Sequence, residues 1–430
     1  MFDIFKPLLK NIIKSSQIFS SFESRNYRFF FTGQSISLLG SWMQTIAMSW
    51  LIYRLTGSKF LLGFVGFTNQ IPSFFLSPII GVITDRFNRR KIMLWAQIIY
   101  MVQALLLSLL VFLNLIEIWH IIALSILFGL VTAFDTPARH ALVVDLIDNP
   151  KNLGNAIALN SAMYNGSRLI GPAIAGIVIA VVGEGICFLF NALSYVAIIL
   201  ALYKIHDSKY TQKKSDNSLT KEFTEGIKYT FGFKPFRILL LLLGVVSLVG
   251  APFSTLMPAF ASEILKGGSH TYGFLMSATG AGALLGAIYL ASRKSVIGMG
   301  KIIMINTILF GLCMLGISVS NGLWISMIIG FVAGFSMIAT IACINTLIQT
   351  LADENKRGRV MSFYAMALLG MNPIGSLLAG TIATGIGISY TLMLCGIIFI
   401  LFGMWFTVVW PMSRKYLYPI YIEKGFMVKK

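Results

Sequence analysis

The chain has 430 residues, of which 57% are hydrophobic and only 12% are charged, and its mean hydropathy is +0.80. This composition excludes an ordinary soluble domain and indicates a membrane protein that crosses the bilayer several times. The formal net charge of +18 does not predict nucleic-acid binding, because the basic residues lie in short clusters between apolar segments. The four cysteines lie within apolar segments without disulfide or metal spacing.

Residues 1–28 precede the first long apolar segment and mix lysines with apolar side chains. Lys6, Lys10 and Lys14 are four positions apart, which predicts an amphipathic helix lying on the membrane surface. The acidic Asp3 and the absence of a small-residue cleavage site argue against a signal peptide. We therefore expect a cytoplasmic or interfacial N-terminal segment.

Twelve apolar segments follow, each about 20 residues or longer, the length that a helix needs to cross about 30 Å of hydrocarbon. The predicted spans are residues 29–53, 60–84, 92–113, 118–138, 155–182, 184–203, 237–261, 271–292, 299–319, 322–350, 360–384 and 388–411. The predicted fold is an all-α membrane protein with twelve transmembrane helices.

The distribution of positive charge orients these helices. With the amino terminus inside, 30 of the 34 Lys and Arg residues fall on the cytoplasmic side and three fall outside. Because short loops rich in Lys and Arg stay in the cytoplasm, both termini are predicted to be cytoplasmic. The expected location is the cytoplasmic (inner) membrane of the cell.

The longest polar stretch divides the spans into two sets of six. The predicted parts are an N-terminal bundle (29–205), a cytoplasmic linker (206–236) that is partly helical near residues 222–229, a C-terminal bundle (237–411) and a cytoplasmic tail (412–430). Residues 144–154 are echoed by residues 351–358 about 200 positions later, and a helix with a proline, Pro172 or Pro373, follows each. Such repetition is typical of transporters built from parallel repeats.

The stretch GVITDRFNRRK at residues 81–91 separates spans two and three. Its charges cannot lie in hydrocarbon, where each costs several kcal/mol, so it faces water. The order and place of these residues resemble the signature loop of the major facilitator superfamily of transporters. Asn88 stands where that family usually has glycine, and asparagine tolerates the left-handed turn expected there.

Three further stretches narrow the resemblance: AFDTPARHAL (133–142), EGIKYTFGFKP (225–235) and GRVMS (358–362). They resemble the bacterial branch of the superfamily that includes the enterobactin exporter and related drug exporters. The similarity covers nearly the whole chain. It implies the major facilitator fold of two six-helix bundles and the export of a small solute.

The fifth span contains SRLIGPAIAG at residues 167–176. This stretch resembles the Gly-x-x-x-Gly-Pro-x-x-Gly-Gly motif of proton-coupled antiporters, with Ser167 and Ala175 as departures. The resemblance implies a helix bend at Gly171, Pro172 and Gly176. An ordinary packing seam of small residues is the alternative, and the pairs Gly282/Gly286 and Gly330/Gly334 also have a helix-packing spacing.

The superfamily resemblance also implies a cytoplasmic latch. When the inner mouth closes, Asp85 is expected to approach the amino end of the eleventh span, where a carboxylate gains about 0.3 to 1 kcal/mol when exposed and about 2 when partly buried. This interaction favours the outward-open state. The predicted latch residues are Gly81, Asp85, Arg86, Arg89, Arg90, Gly358 and Arg359.

Ionisable side chains inside a membrane are costly and therefore functional candidates. Asp135 could carry a proton, or it could cap the end of its helix and pair with Arg139. Arg168 could attract an anionic solute, or it could bind backbone carbonyls beside the Gly-Pro bend. Further polar candidates for the transport path are Asn165, Gln34, Gln44, Asn69 and Asn345, although ordinary core or lipid-facing positions are the alternative.

These observations predict a secondary active transporter that exports a siderophore or drug-like amphipathic solute by alternating access and proton antiport. An uncoupled facilitator or lipid flippase and a non-transporting receptor or scaffold are the alternatives. Neither a Walker motif nor a nucleophile elbow is present, so we expect no enzyme activity. The expected partners are a small molecule, protons and the bilayer, with no cofactor, metal or nucleic acid, and the protein is expected to be a monomer.

Overall fold

The computed structural model describes residues 17–205, 219–293 and 295–424, and its regular structure in these ranges is entirely helical. The first helices are α1 (Arg25–Thr56), α2 (Lys59–Arg86), α3 (Arg89–Phe112), α4 (Ile118–Asp145), α5 (Leu153–Val182) and α6 (Glu184–Lys204). The later helices are α7 (Leu219–Gly232), α8 (Lys234–Thr255), α9 (Ser269–Ala291), α10 (Met299–Ser318), α11 (Leu323–Leu351), α12 (Arg357–Ala365), α13 (Met371–Ile386), α14 (Ile388–Val409) and α15 (Arg414–Glu423).

Short helical turns lie between or beside several of these helices. Turns of 3-10 helix cover Gln17–Glu23, Pro150–Asn152, Glu354–Lys356 and Pro411–Ser413, a helical turn covers Met257–Ala259, and π-helical turns cover Phe260–Ile264 and Met366–Gly370. Within the described ranges, ten helical segments are long and apolar enough to cross a membrane. Helices α1 and α2 have 32 and 28 residues but are not among these ten, so the count of twelve stays a prediction.

The chain divides into two compact units. The first consists of Met1–Met48 and Phe75–Lys214, and the second of Ser49–Phe74 and Ser215–Lys430. In the first unit, a core of buried apolar residues joins α1, α3, α4 and α6, with Tyr27, Phe30 and Tyr195 among its largest members. The predicted amphipathic helix of residues 1–28 falls largely on residues outside the described ranges.

The second unit contains a close crossing of α9 and α11 that the glycine spacing predicted. A Cβ atom placed on Gly282 would lie 1.8 Å from the Phe331 carbonyl oxygen, and one on Gly334 would lie 1.9 Å from the Thr279 carbonyl oxygen. Any side chain at either position would therefore collide with backbone. The prediction that these glycines are packing residues is confirmed.

Helix α3 begins differently from the sequence expectation. Asn88 has φ −64° and ψ 111°, and its side-chain oxygen accepts a hydrogen bond from the Lys91 backbone N–H at 3.2 Å. It is the N-cap of α3 in an extended conformation, so the expected left-handed turn is wrong. At this position the asparagine side chain stabilises the start of α3, and the backbone does not adopt a positive φ.

Candidate functional site

A buried carboxylate lies in α4 of the first unit. Asp135 is 4% exposed, and its Oδ1 accepts a hydrogen bond from Gln97 Nε2 at 2.8 Å. A guanidinium nitrogen of Arg139 lies 3.6 Å from Oδ2. Helix α4 continues to Asp145, so the expectation that Asp135 caps the helix end is wrong, whereas its expected pairing with Arg139 is present. The apolar pattern stops before the basic Arg139, but the helix continues beyond that residue.

Two stacked tyrosines extend the polar surroundings of Asp135 in the core of the first unit. The rings of Tyr100 and Tyr195 have centroids 5.5 Å apart and an interplanar angle of 18°. The Tyr100 hydroxyl lies 2.8 Å from Thr132 Oγ1, and the Tyr195 hydroxyl lies 3.2 Å from Ser41 Oγ. Thr132 and Ser41 also donate to the carbonyls of Phe128 and Ser37, so each phenol hydroxyl is the donor to its hydroxyl partner.

Three amides form a second polar cluster in the same unit. Gln44 donates to Gln103 Oε1 at 3.0 Å, and Asn191 donates to Gln44 Oε1 at 2.8 Å. Gln103 also donates to the Leu124 carbonyl at 3.3 Å. All three amides are nearly inaccessible to solvent. Such satisfied networks in a low-dielectric interior fix the arrangement of the helices that carry them.

Gln44, Asp135 and the pairing of Asp135 with Arg139 were expected from the sequence, whereas the amide partners Gln97 and Gln103 were not. Gln97, Tyr100 and Gln103 recur every three residues along α3, a spacing that places them on one helix face. This periodicity of polar residues inside an apolar segment could have predicted a buried polar face on α3. Gln34 is equally buried, but its Oε1 has no hydrogen-bond partner among the described residues, and it does not join the amide cluster.

Arg168 lies beside an aromatic ring. Its guanidinium carbon is 5.8 Å from the centre of the Trp42 ring, within the range of a cation–π interaction. A Cβ atom on Gly171 would lie 2.6 Å from Trp42 Cβ, so the glycine makes room for Trp42. Asn165 donates to the Ser161 carbonyl of its own helix at 2.8 Å. Helix α5 is continuous through Pro172.

The residues of the predicted latch have separate local partners. In the first unit, one guanidinium nitrogen of Arg89 lies 3.0 and 2.9 Å from the two carboxylate oxygens of Asp145, and Arg90 donates to the Leu202 carbonyl at 2.7 Å. In the second unit, Arg359 pairs with Glu225 of α7 at 2.8 Å. The side chains of residues 81–86, which include Gly81, Asp85 and Arg86, lie outside the described residues.

The second unit holds a cluster around one glutamate that the sequence did not predict. The Tyr53 hydroxyl donates to Glu263 Oε1 at 2.5 Å, and Lys59 Nζ lies 3.0 Å from Glu263 Oε2. We call these three residues the Glu263 cluster. The apolar pattern predicted that the seventh span ends at residue 261, whereas helical turns continue to Ile264. The carboxylate therefore belongs to a helix end that the apolar pattern did not include.

The segment that carries Tyr53 and Lys59 also packs closely against α13. A Cβ atom on Gly63 would lie 2.3 Å from the Ser376 carbonyl oxygen, and one on Gly380 would lie 2.5 Å from the Lys59 carbonyl oxygen. The ring of Trp50 stacks on Tyr272, with centroids 6.4 Å apart. Close backbone contact and the Glu263 cluster thus hold residues 49–74 to the rest of the second unit.

The remaining two polar candidates, Asn345 and Asn69, are only partly buried. Asn345 accepts a hydrogen bond from Gln349 at 2.9 Å on the surface of α11, and Asn69 is half-buried on α2. The four cysteines are buried free thiols. Over the described ranges, no group of three or more His, Cys, Asp or Glu side chains could hold a metal ion.

The apolar helices and the polar clusters buried among them indicate a multi-pass membrane protein. A solved POT family transporter in complex with a thioalcohol-conjugated peptide has the same fold, with a TM-score of 0.71, 13% identity, and coverage of 90% of this chain and 96% of that one. Residues 16–414 match the family described as "Transmembrane secretion effector". The chain belongs to this family of major facilitator transporters, and it is not an enzyme.

Two bacterial relatives match most of the chain. The staphyloferrin A transporter of Staphylococcus aureus is 28% identical over 371 residues, which cover 86% of this chain and 92% of the relative. Macrolide efflux protein A of Streptococcus pyogenes is 24% identical over 377 residues, which cover 86% and 92%. The bacterial relatives and the apolar helices indicate a transporter of the cell membrane that exports small solutes.

Proposed function

We propose that the protein exports a siderophore or a drug-like amphipathic solute from the cytoplasm by alternating access. The names of the two relatives support these solute classes, because one transports a siderophore and the other a macrolide. Helices α1 and α2 complete the twelve spans in this proposal, and the positive charge of the short loops keeps both termini in the cytoplasm. The monomer is the transporting unit.

Alternating access requires contacts that close each mouth in turn. On the cytoplasmic side, we assign this role to Asp85 and the amino end of α12 near Gly358, as the family resemblance implies. On the opposite side, we assign it to the Glu263 cluster, in which two helix ends share one carboxylate through a hydrogen bond and an ion pair. During a transport cycle, the contact of Asp85 with α12 breaks when the Glu263 cluster closes, and it forms again when the Glu263 cluster opens.

Proton antiport is supported by a single observation, the burial of Asp135 within α4 at 4% exposure. Gln97 donates to one carboxylate oxygen, and Arg139 lies at 3.6 Å from the other, a distance too long for a hydrogen bond. Protonation would neutralise the carboxylate and release Arg139, whereas deprotonation would attract it. Binding of a proton to Asp135 thereby changes its contact with Arg139 within α4. In this proposal, that change is coupled to the conformational change of transport.

The test of coupling uses proteoliposomes in which a gradient of staphyloferrin A or erythromycin is imposed. In the unmodified protein, we expect export of one of these probes to drive proton movement, reported by an internal pH-sensitive dye. In Asp135→Asn, the proton movement should fall at least tenfold while solute exchange between equal concentrations persists. Asp148→Asn, which removes an exposed carboxylate just beyond α4, should leave both rates unchanged.

Two outcomes would favour the alternatives. Solute flux without proton movement in the unmodified protein indicates an uncoupled facilitator or a lipid flippase, since the ion pair of Asp135 with Arg139 would then be purely structural. Binding of the probe without any flux indicates a receptor or scaffold. Equal loss of exchange and of proton movement in Asp135→Asn shows that Asp135 supports the structure and not the coupling.

A further inference from the structure

A cavity of about 600 Å³ opens where α11 ends and α12 begins. Its lining residues are Thr346, Gln349, Thr350, Glu354, Arg357 and Lys424. Lys424 follows α15, and its ammonium group donates to the Thr350 carbonyl at 2.6 Å. The tail of the chain thus closes one side of a polar cavity at the predicted cytoplasmic end of α11.

Arg357 is the unusual member of this lining. Its Nε is sealed from solvent and has no hydrogen-bond partner, and among the described residues its guanidinium has neither a hydrogen bond nor an ion pair. The neighbouring cations are satisfied, because Lys356 lies over the Tyr229 ring at 4.5 Å and Arg359 pairs with Glu225 at 2.8 Å. A partly desolvated cation without a partner is costly unless an anion binds to it.

The charges of the lining limit what this anion can be. Among the described lining residues, Arg357 and Lys424 oppose the single carboxylate of Glu354, which leaves one excess positive charge. Arg357 also begins α12, whose N-cap makes no side-chain hydrogen bond. The positive end of the helix dipole at the start of a helix favours an anion. The excess charge suits a group with one negative charge better than a polyanion.

We infer that this cavity binds a singly charged anionic group, a carboxylate or a phosphodiester, through the guanidinium of Arg357. The guanidinium supplies planar paired donors that match both groups, and the side chains of Gln349 and Thr346 supply polar contacts at the wall. The phosphodiester could come from an anionic lipid of the inner leaflet, and the carboxylate from a soluble organic acid. Neither source requires that the protein transports the bound molecule.

The test measures binding to the full-length protein in phosphatidylcholine nanodiscs, with two probes. Phosphatidylglycerol is titrated into the lipid phase and detected by native mass spectrometry, and acetate is titrated in solution and detected by its effect on the thermal midpoint. We expect Arg357→Gln to weaken the binding of at least one probe about tenfold, the effect of losing a charge-assisted hydrogen bond. Lys356→Gln removes a charge from the same loop outside the cavity and should have no such effect.

The two probes separate the sources, and a second variant keeps the test independent of folding. Loss of phosphatidylglycerol binding identifies a lipid site, whereas loss of acetate binding identifies a site for soluble acids. Glu354→Gln removes the competing carboxylate and should tighten binding of the same probe severalfold. Equal binding in the unmodified protein and Arg357→Gln, or equal losses in Arg357→Gln and Lys356→Gln, would overturn the inference.

Discussion

Asn88 shows how one side chain can replace the glycine that is usual at its position. Its side-chain oxygen caps α3 by accepting the Lys91 backbone N–H, and a capping amide stabilises a helix start by about 1 kcal/mol relative to alanine. We therefore predict that Asn88→Ala lowers the free energy of unfolding by about 1 kcal/mol. Thermal unfolding in detergent measures the change.

The controls for Asn88 are substitutions that keep or relax the cap. Asn88→Asp retains an acceptor and should preserve the thermal midpoint, while Asn88→Gly should cost only a few tenths of a kcal/mol. A midpoint in Asn88→Ala equal to that of the unmodified protein would show that the cap contributes nothing to stability. The transport rate is not expected to change in parallel with these small differences in stability.

For single residues, the sequence identified isolated polar side chains and the pairing of Asp135 with Arg139, but it did not identify their amide partners. Asp135 and Gln44 were predictable because an ionisable or amide group inside an apolar segment needs a reason to be there. Gln97 and Asn191 were not, since their pairing depends on which helix faces meet in the first unit. Glu263 was missed for a different reason, namely that the apolar pattern ends before the helix does.

At the scale of elements, the crossing of α9 and α11 makes a sharp prediction. Gly334→Ala places a methyl group against the Thr279 carbonyl oxygen, at 1.9 Å from it in the present geometry, so the two helices must separate. Overpacking of this kind costs typically about 1 to 3 kcal/mol. We expect a lower thermal midpoint in detergent and a protein that still inserts into the membrane.

Gly385 is the matched control for Gly334. It lies in α13 of the same unit, and a Cβ atom there meets no other atom within 4 Å. Gly385→Ala should therefore leave the midpoint unchanged or raise it slightly, because alanine loses less backbone entropy in a helix. If both substitutions lowered the midpoint equally, the effect would reflect the loss of glycine in general and not the crossing.

Helix positions were predictable because apolar length and the bilayer thickness set them together. Helix ends were not, because a helix can continue in water once the membrane has been crossed. Helix α4 passes Arg139 and ends at Asp145, and α1 begins at Arg25, before the predicted start of the first span at residue 29. The linker helix α7 was expected from residues 222–229, and it extends from Leu219 to Gly232.

At the scale of the whole molecule, the superfamily was recognisable from the charged stretch at residues 81–91 and its place between two spans. The membership is confirmed by the match over residues 16–414. The extent of the compact units did not follow from the sequence. Residues 49–74 group with the second unit because of the Glu263 cluster and the contacts of Gly63, and these depend on long-range packing.

The proposed role of the Glu263 cluster leads to a prediction about the complete cycle. If the contacts of Tyr53 and Lys59 with Glu263 must open in every cycle, a covalent link between these positions should stop transport. We propose Lys59→Cys with Glu263→Cys, joined by a short bifunctional thiosulfonate reagent. The native cysteines are buried and should react slowly with it. Export from proteoliposomes should fall by at least tenfold after cross-linking and recover when the link is reduced.

Single-cysteine controls show whether the Glu263 cluster opens during transport or stays closed. Each single-cysteine variant treated with the same reagent should keep the transport rate that it had before treatment, since no link can form. In the unlinked protein, Glu263→Gln removes the ion pair with Lys59 but keeps an acceptor for the Tyr53 hydroxyl. The Glu263 cluster should then open more readily, and a cysteine introduced within residues 49–59 should react faster with a thiol reagent. Full transport in the cross-linked protein would show that the Glu263 cluster stays closed throughout the cycle, and that the mouth opens elsewhere.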